Sequence, residues 1–253
     1  SNLLNSESPH KSVSAVCQHF TSLGNTDIAR YSFGMSDMHQ KLFIDAGHGD
    51  GGALQALARL DEDVALALKT YGSPPDRSLP ASFDTLARAI VGQQVSRTAA
   101  SSIWNRMEAA SLTNETAIAN SSADVMMTAG LSRRKAEYLI GLAAEITAGT
   151  LDLPALAHLP GDEVQTRLTK IRGIGSWTAD NYRLFALADM DAWPINDIAL
   201  QEGMKLLKSL ESRPTASELE VIAEHWRPYR GAGALVLWHL YGILVRKVTV
   251  ADV

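Results

Sequence analysis

The chain has 253 residues, 46% of them hydrophobic, and sets 23 basic against 28 acidic side chains for a net charge of −5. That length can bury a substantial core and the composition excludes a disordered chain, while the acidic balance argues against coating nucleic acid by bulk charge. The single Cys17 excludes a disulfide framework, a four-thiolate zinc site and a cysteine-ligated iron–sulfur cluster.

In chain order, residues 1–52 show no sustained period, and Gly47, Gly49, Gly51 and Gly52 mark a loop. The expectation there is an irregular or partly helical arm with a short helix around Val13 to Phe20. Ser1 to Ser12 lacks the apolar run of a signal peptide. Gly231 to Val245 is about one turn short of a membrane span and contains His239, so it reads as a buried helix. An intracellular protein with no membrane partner is expected, cytoplasmic or nucleoid-associated, or nuclear in a eukaryote.

From Ala53 the period is helical. Leu54, Leu57, Ala58 and Leu60 begin a stripe that Val64, Ala65 and Leu68 continue, until Gly72-Ser73-Pro74-Pro75 breaks it. Ser82 is placed to cap a helix through Leu86, Ile90 and Val91 that Gly92 interrupts, and Ser96 opens another to about Ala110. Further helices are predicted from Ser132 to Gly149, Asp162 to Ile171, Ser176 to Leu187, Asp197 to Leu210, Ser217 to His225 and Ala232 to Arg246. About ten helices with short connections, and no alternation of strand with helix, indicate an all-α fold.

The segment from Leu168 to Ala179 is the most informative. One helix ends, Gly173 and Gly175 bracket the apolar Ile174, and another helix starts at once. Glycine permits positive φ and holds no neighbour away, so the second helix presents free N–H groups and the positive end of its dipole. Such an anion site needs no net positive charge. The plain alternative is a glycine-capped turn of the kind many helical proteins have. Some twenty residues on, Pro194 stiffens a loop and Asp197 stands where a helix begins. A carboxylate there is held as the anion by the helix dipole, although an Asp in that place ordinarily serves only as an N-cap.

These two features together resemble the helix-hairpin-helix, Gly/Pro-rich loop, Asp superfamily of DNA glycosylases. Arg88 to Ser96, with Gly92-Gln93-Gln94, also resembles a family block, as do Gly130 to Ala136 and Trp226 to Arg230, all in the family's order. The likeness covers about residues 54 to 247. Within the superfamily it points to the alkylation-repair branch, DNA-3-methyladenine glycosylase II, in a short all-helical form. Where bifunctional members carry a Schiff-base lysine this chain has Trp177, and it has no C-terminal cluster cysteines.

The resemblance implies two helical lobes with a cleft between them. One runs over about 83–190 with the hairpin at 168–179, and the other combines 53–82 with 191–253. It makes Asp197 the catalytic carboxylate, with Trp177, Trp238 and Tyr182 lining the base pocket. Gln94 becomes the wedge that fills the space of the flipped nucleotide. Backbone amides near Gly173, Gly175 and Thr178 would face DNA, while Arg230 reads as a contact to a DNA phosphate or to the neighbourhood of Asp197, or as half of a surface salt bridge. The carbonyls of Thr169, Ile171 and Gly173 would hold a structural monovalent cation, Na or K, and no other cofactor is required. Trp104, Trp193 and Trp226 read as structural, and Asp180, Asp189 and Asp191 as rival carboxylates, the last two solvated. The implied partner is double-stranded damaged DNA, bound by a monomer.

The chemistry suits these residues. Breaking an N-glycosidic bond develops positive charge on the sugar, which one carboxylate can stabilise while water attacks. An alkylated purine is already cationic and leaves without a dedicated acid, so a second carboxylate is unnecessary. A cationic ring everted from the stack favours tryptophan walls. Two alternatives stay open at this point: the same scaffold acting on uracil, hypoxanthine or an oxidised base, and a non-catalytic hairpin module that only holds DNA.

Overall fold

The computed structural model describes residues 52–247. Among them lie thirteen α-helices, one 3-10 turn and no strand, so the fold is all-α. The helices are α1 (Gly52–Leu60), α2 (Glu62–Tyr71), α3 (Phe83–Gly92), α4 (Arg97–Ala109), α5 (Glu115–Ala119), α6 (Ala123–Thr128) and α7 (Arg133–Thr147). They continue as α8 (Leu153–Leu156), α9 (Gly161–Thr169), α10 (Ser176–Leu187), α11 (Ile198–Leu207), α12 (Ala216–Ala223) and α13 (Arg230–Leu244), with the 3-10 turn at Glu224–Trp226. The expected arm and its helix around Val13 to Phe20 lie outside the described residues.

Side-chain caps set most boundaries. Ser82, Ser96 and Ser132 accept from the amides of Thr85, Ala99 and Lys135, each satisfying an N–H that a helix start leaves unpaired. Thr215 rather than Ser217 opens α12, because Thr215 and Glu218 cap each other reciprocally. Gly175 rather than Ser176 stands at the cap of α10, and no side chain caps that helix. The short α5, α6 and α8 went unpredicted because four to six residues carry no readable period.

Two apolar cores organise these helices. The first gathers Leu57, Val64, Leu200, Met204, Trp226 and Leu237 from α1, α2, α11, the 3-10 turn and α13. The second gathers Leu86, Ile90, Met107, Leu139, Leu142 and Leu168 from α3, α4, α7 and α9. Helix α10 belongs to both, giving Leu184 and Phe185 to the first core and Ala179, Tyr182 and Ala186 to the second. It is therefore buried nearly all round, and its two faces read different neighbours. Gly203 lets α11 approach α13 closely, since a Cβ there would stand 2.5 Å from the Leu237 carbonyl oxygen.

A buried polar knot ties α2 to α11 and the 3-10 turn. Asp61, the α2 cap, accepts from Lys208 Nζ at 2.7 and 2.8 Å and from Trp226 Nε1 at 2.7 Å. His225 Nε2 lies 3.1 Å from the same carboxylate. Burial alone would raise this carboxyl, but the Lys208, Trp226 and His225 contacts outweigh it and hold the group at about 2.

Candidate active site

Asp197 is the N-cap of α11. Its Oδ1 accepts from the amides of Ala199 at 2.8 Å and Leu200 at 3.2 Å. Its Oδ2 accepts from the indole Nε1 of Trp177 at 2.9 Å, from the first turn of α10. Three N–H donors and the positive end of a helix thus converge on one carboxylate. The residue is fully buried, with 0% of its surface exposed. The half-buried Trp177 covers the oxygen that the helix leaves free.

The hairpin joins α9 to α10. Gly173 takes φ +98°, and a Cβ there would strike the Tyr138 ring at 2.5 Å, so this glycine is required twice over. Gly175 has ordinary backbone and open space around it. With no side-chain cap on α10, the amides of its first turn, Thr178 included, remain for an external acceptor. Gln93 Nε2 donates to Gly173 O at 2.9 Å and ties the α3–α4 loop to the hairpin. Lys135 Nζ donates to Val91 O at 2.8 Å, at the last turn of α3 where that loop begins. Burial pulls the Lys135 ammonium below its usual range. Gln94, exposed and at φ +56°, therefore projects from a loop braced against the hairpin.

Two of the three carbonyls expected to hold a cation, with Thr169 the third, also accept hydrogen bonds within the protein, each keeping a second lone pair. Ile171 O accepts from the Ile174 amide at 3.0 Å, and Gly173 O from Gln93. Among the described residues no His, Cys, Asp and Glu cluster could hold a metal ion.

Trp238 lies in the first core at 5% exposure and stacks on Phe185, the centroids 5.6 Å apart and the rings 22° from parallel. It lines a shallow crevice with Pro74, Pro75, Arg77, Leu235 and His239, which has no room for a water molecule. Asp197 is not among the residues lining that crevice. The segment above Trp238 is tied at both ends. His239 Nε2 donates to Tyr71 O at 3.0 Å, and the Leu79 amide donates to Phe185 O at 2.8 Å.

Two expected site residues lie elsewhere. Tyr182 is 0% exposed within the second core, its hydroxyl without a protein partner and pushed above its ordinary range by burial. Five residues separate it from Trp177, which rotates it about 140° around the helix onto the opposite face. Asn181, four residues on, shares the face of Trp177 and donates from Nδ2 to Trp177 O at 2.7 Å. The spacing would have identified it. Arg230 is buried at 8% exposure, and its guanidinium grips Asp191 at 2.8 and 2.9 Å. A buried guanidinium needs such a partner.

The rival carboxylates are paired rather than solvated. Arg183 bridges Asp180 at 3.0 Å and Asp189 at 2.8 Å, while Asp191 also takes Arg227 at 2.7 Å. Burial pushes Asp180 up to about 7, because one guanidinium shared with Asp189 offsets only part of the cost. Trp104, Trp193 and Trp226 are buried at 3%, 6% and 0%, as structural residues.

Residues 87–228 match the HhH-GPD superfamily of base excision DNA repair proteins, helix-hairpin-helix glycosylases, over more than half of the chain. The chain belongs to the HhH-GPD superfamily. This HhH-GPD protein is 30% identical over 190 residues to DNA-3-methyladenine glycosylase 1 of Schizosaccharomyces pombe, covering 72% of this chain and 83% of that one. The Bacillus subtilis protein YfjP is 37% identical over 107 residues, 42% of this chain; the match spans only 37% of YfjP. The solved S. pombe 3-methyladenine DNA glycosylase Mag1 in complex with abasic DNA superposes with TM-score 0.66 at 28% identity, over 78% of this chain and 99% of that one.

Proposed function

We infer that this HhH-GPD protein is a DNA glycosylase that hydrolyses the N-glycosidic bond of alkylated bases, of the 3-methyladenine and 7-methylguanine type, in base excision repair. Relatives named as 3-methyladenine glycosylases, one of them solved on abasic DNA, support this activity and DNA as the partner. The observation that carries the reading for this chain's own residues is the Trp177–Asp197 hydrogen bond. It joins the helix behind the hairpin to the only carboxylate among the described residues that three N–H donors address without a cationic partner.

In this reading the uncapped start of α10 grips a phosphate through backbone amides. Gln94, braced by the Gln93–Gly173 contact, enters the stack as the base leaves it. Asp197 stabilises the positive sugar and directs water to C1′, and Trp238 and Trp177 face the cationic ring. Since Asp197 is buried, the everted nucleotide must displace the Trp177 indole or the segment over Trp238 to reach it. That burial is also what favours the rival reading, a hairpin that only holds DNA.

The finer reading is a monofunctional enzyme acting as a monomer on double-stranded DNA inside the cell, with no cofactor. Trp177 in place of a nucleophilic lysine supports the absence of strand cleavage. The test is release of free base from duplexes carrying 3-methyladenine, 7-methylguanine, hypoxanthine or uracil. Release of the two methylated bases, with strands cut only after alkali, is expected. Release of uracil or hypoxanthine alone would overturn the substrate class, and duplex binding with no release would overturn the enzyme.

A further inference from the structure

Trp177, Asn181 and Phe185 stand four residues apart along α10 and share one face of it. The first donates to Asp197 and the last stacks on Trp238. Asn181 sits between them, 1% exposed. Its Nδ2 donates to Trp177 O at 2.7 Å, which fixes the amide orientation, since the reversed amide would set two oxygens against each other. Its Oδ1 is buried and has no protein partner. Buried acceptors are nearly always satisfied, and an orphan calls for a ligand that supplies the donor.

We propose that Asn181 is a specificity-determining residue whose Oδ1 accepts a hydrogen bond from an N–H on the Watson–Crick edge of the everted alkylated purine. This rests on the glycosylase reading above and deepens it. An orphan acceptor between the carboxylate that faces the sugar and the tryptophan that faces the ring lies where the far edge of a flipped base arrives. Alkylation makes the ring cationic and its N–H groups stronger donors, so the acceptor favours a damaged purine through a charge-assisted bond. Asn181 also cannot be replaced by a merely apolar filler without losing that preference, because a site built to pair an N–H rejects the analogue that lacks it.

The test measures competitive inhibition of 7-methylguanine release from duplex DNA by free 3-methyladenine and by 3-methylpurine, which lacks the amino group. Wild type is expected to bind 3-methyladenine about tenfold to a hundredfold more tightly than 3-methylpurine. In Asn181→Leu the two should inhibit alike. A purely structural role, supporting the Trp177 carbonyl, would lower the melting temperature of Asn181→Leu while leaving the ratio intact, which overturns the proposal. Equal or absent inhibition by the two bases in wild type overturns it as well, and needs no variant to fold. Failure of wild type to release 7-methylguanine at all would instead sink the glycosylase reading and this assignment together.

Discussion

Replacing Asp61 should be among the costliest changes where α2 meets α11 and the 3-10 turn. The carboxylate side chain is 2% exposed and accepts from Lys208, Trp226 and its own helix start. Asp61→Ala leaves the Lys208 ammonium with Asp63 alone and the Trp226 indole N–H buried without a partner. Breaking a buried pair from one side costs about 3–5 kcal/mol. For a domain of this size, each kcal/mol moves the melting midpoint by about 2–4 °C, so a drop of about 10 °C is expected. Asp61→Asn keeps the cap and an acceptor but loses the charge. The shift from 3.8 to about 2 makes that loss about 2 kcal/mol at neutral pH. Because the folded-state value is depressed, this contribution is full above about pH 4 and fades as pH falls to about 2. Urea melts of wild type and Asp61→Asn across that range therefore converge at the acid end. A difference under about 0.5 kcal/mol at pH 7, or one that persists undiminished at pH 2, would refute the reasoning.

The hairpin glycines should separate. Gly173→Ala meets the Tyr138 ring and a positive φ, and should cost about 1–3 kcal/mol in a thermal melt and weaken duplex binding; Gly175→Ala, with open space, should melt within about 1 kcal/mol of wild type. Gly203→Ala should push α11 off α13, lowering the melting point and slowing base release together, because Asp197 caps the displaced helix. Asp180 carries the opposite sign from Asp61. Its raised value favours the folded state below about pH 4 and that advantage is lost as pH rises through about 7, so Asp180→Asn should flatten the stability profile between those limits. A profile that keeps the wild-type slope would remove Asp180 as its source.

Much of the fold was legible because long helices carry their own period and caps: Ser82, Ser96, Ser132 and Asp197 all cap as their positions in the sequence predict. Gly173 was legible as a residue no side chain could replace, yet its partner Gly175 is free of contacts, a distinction only packing reveals. Tyr182 was misplaced by one residue of helical rotation, and that same residue brings Asn181 onto the site face. Arg230 was hidden because a cation's partner, Asp191, lies in a loop whose path no period encodes. The Asp61 knot joins residues far apart in the chain, and an Asp before a helix gives no sign of burial.

The central claim is that Asp197 breaks the bond. Asn keeps the cap on the Ala199 and Leu200 amides but turns its NH2 toward the Trp177 indole N–H, so Asp197→Asn should fold with a loss of about 1–3 kcal/mol and still bind duplex DNA. Under single-turnover conditions its release of 7-methylguanine should fall by on the order of 10²–10⁴. Release within about threefold of wild type would contradict the account.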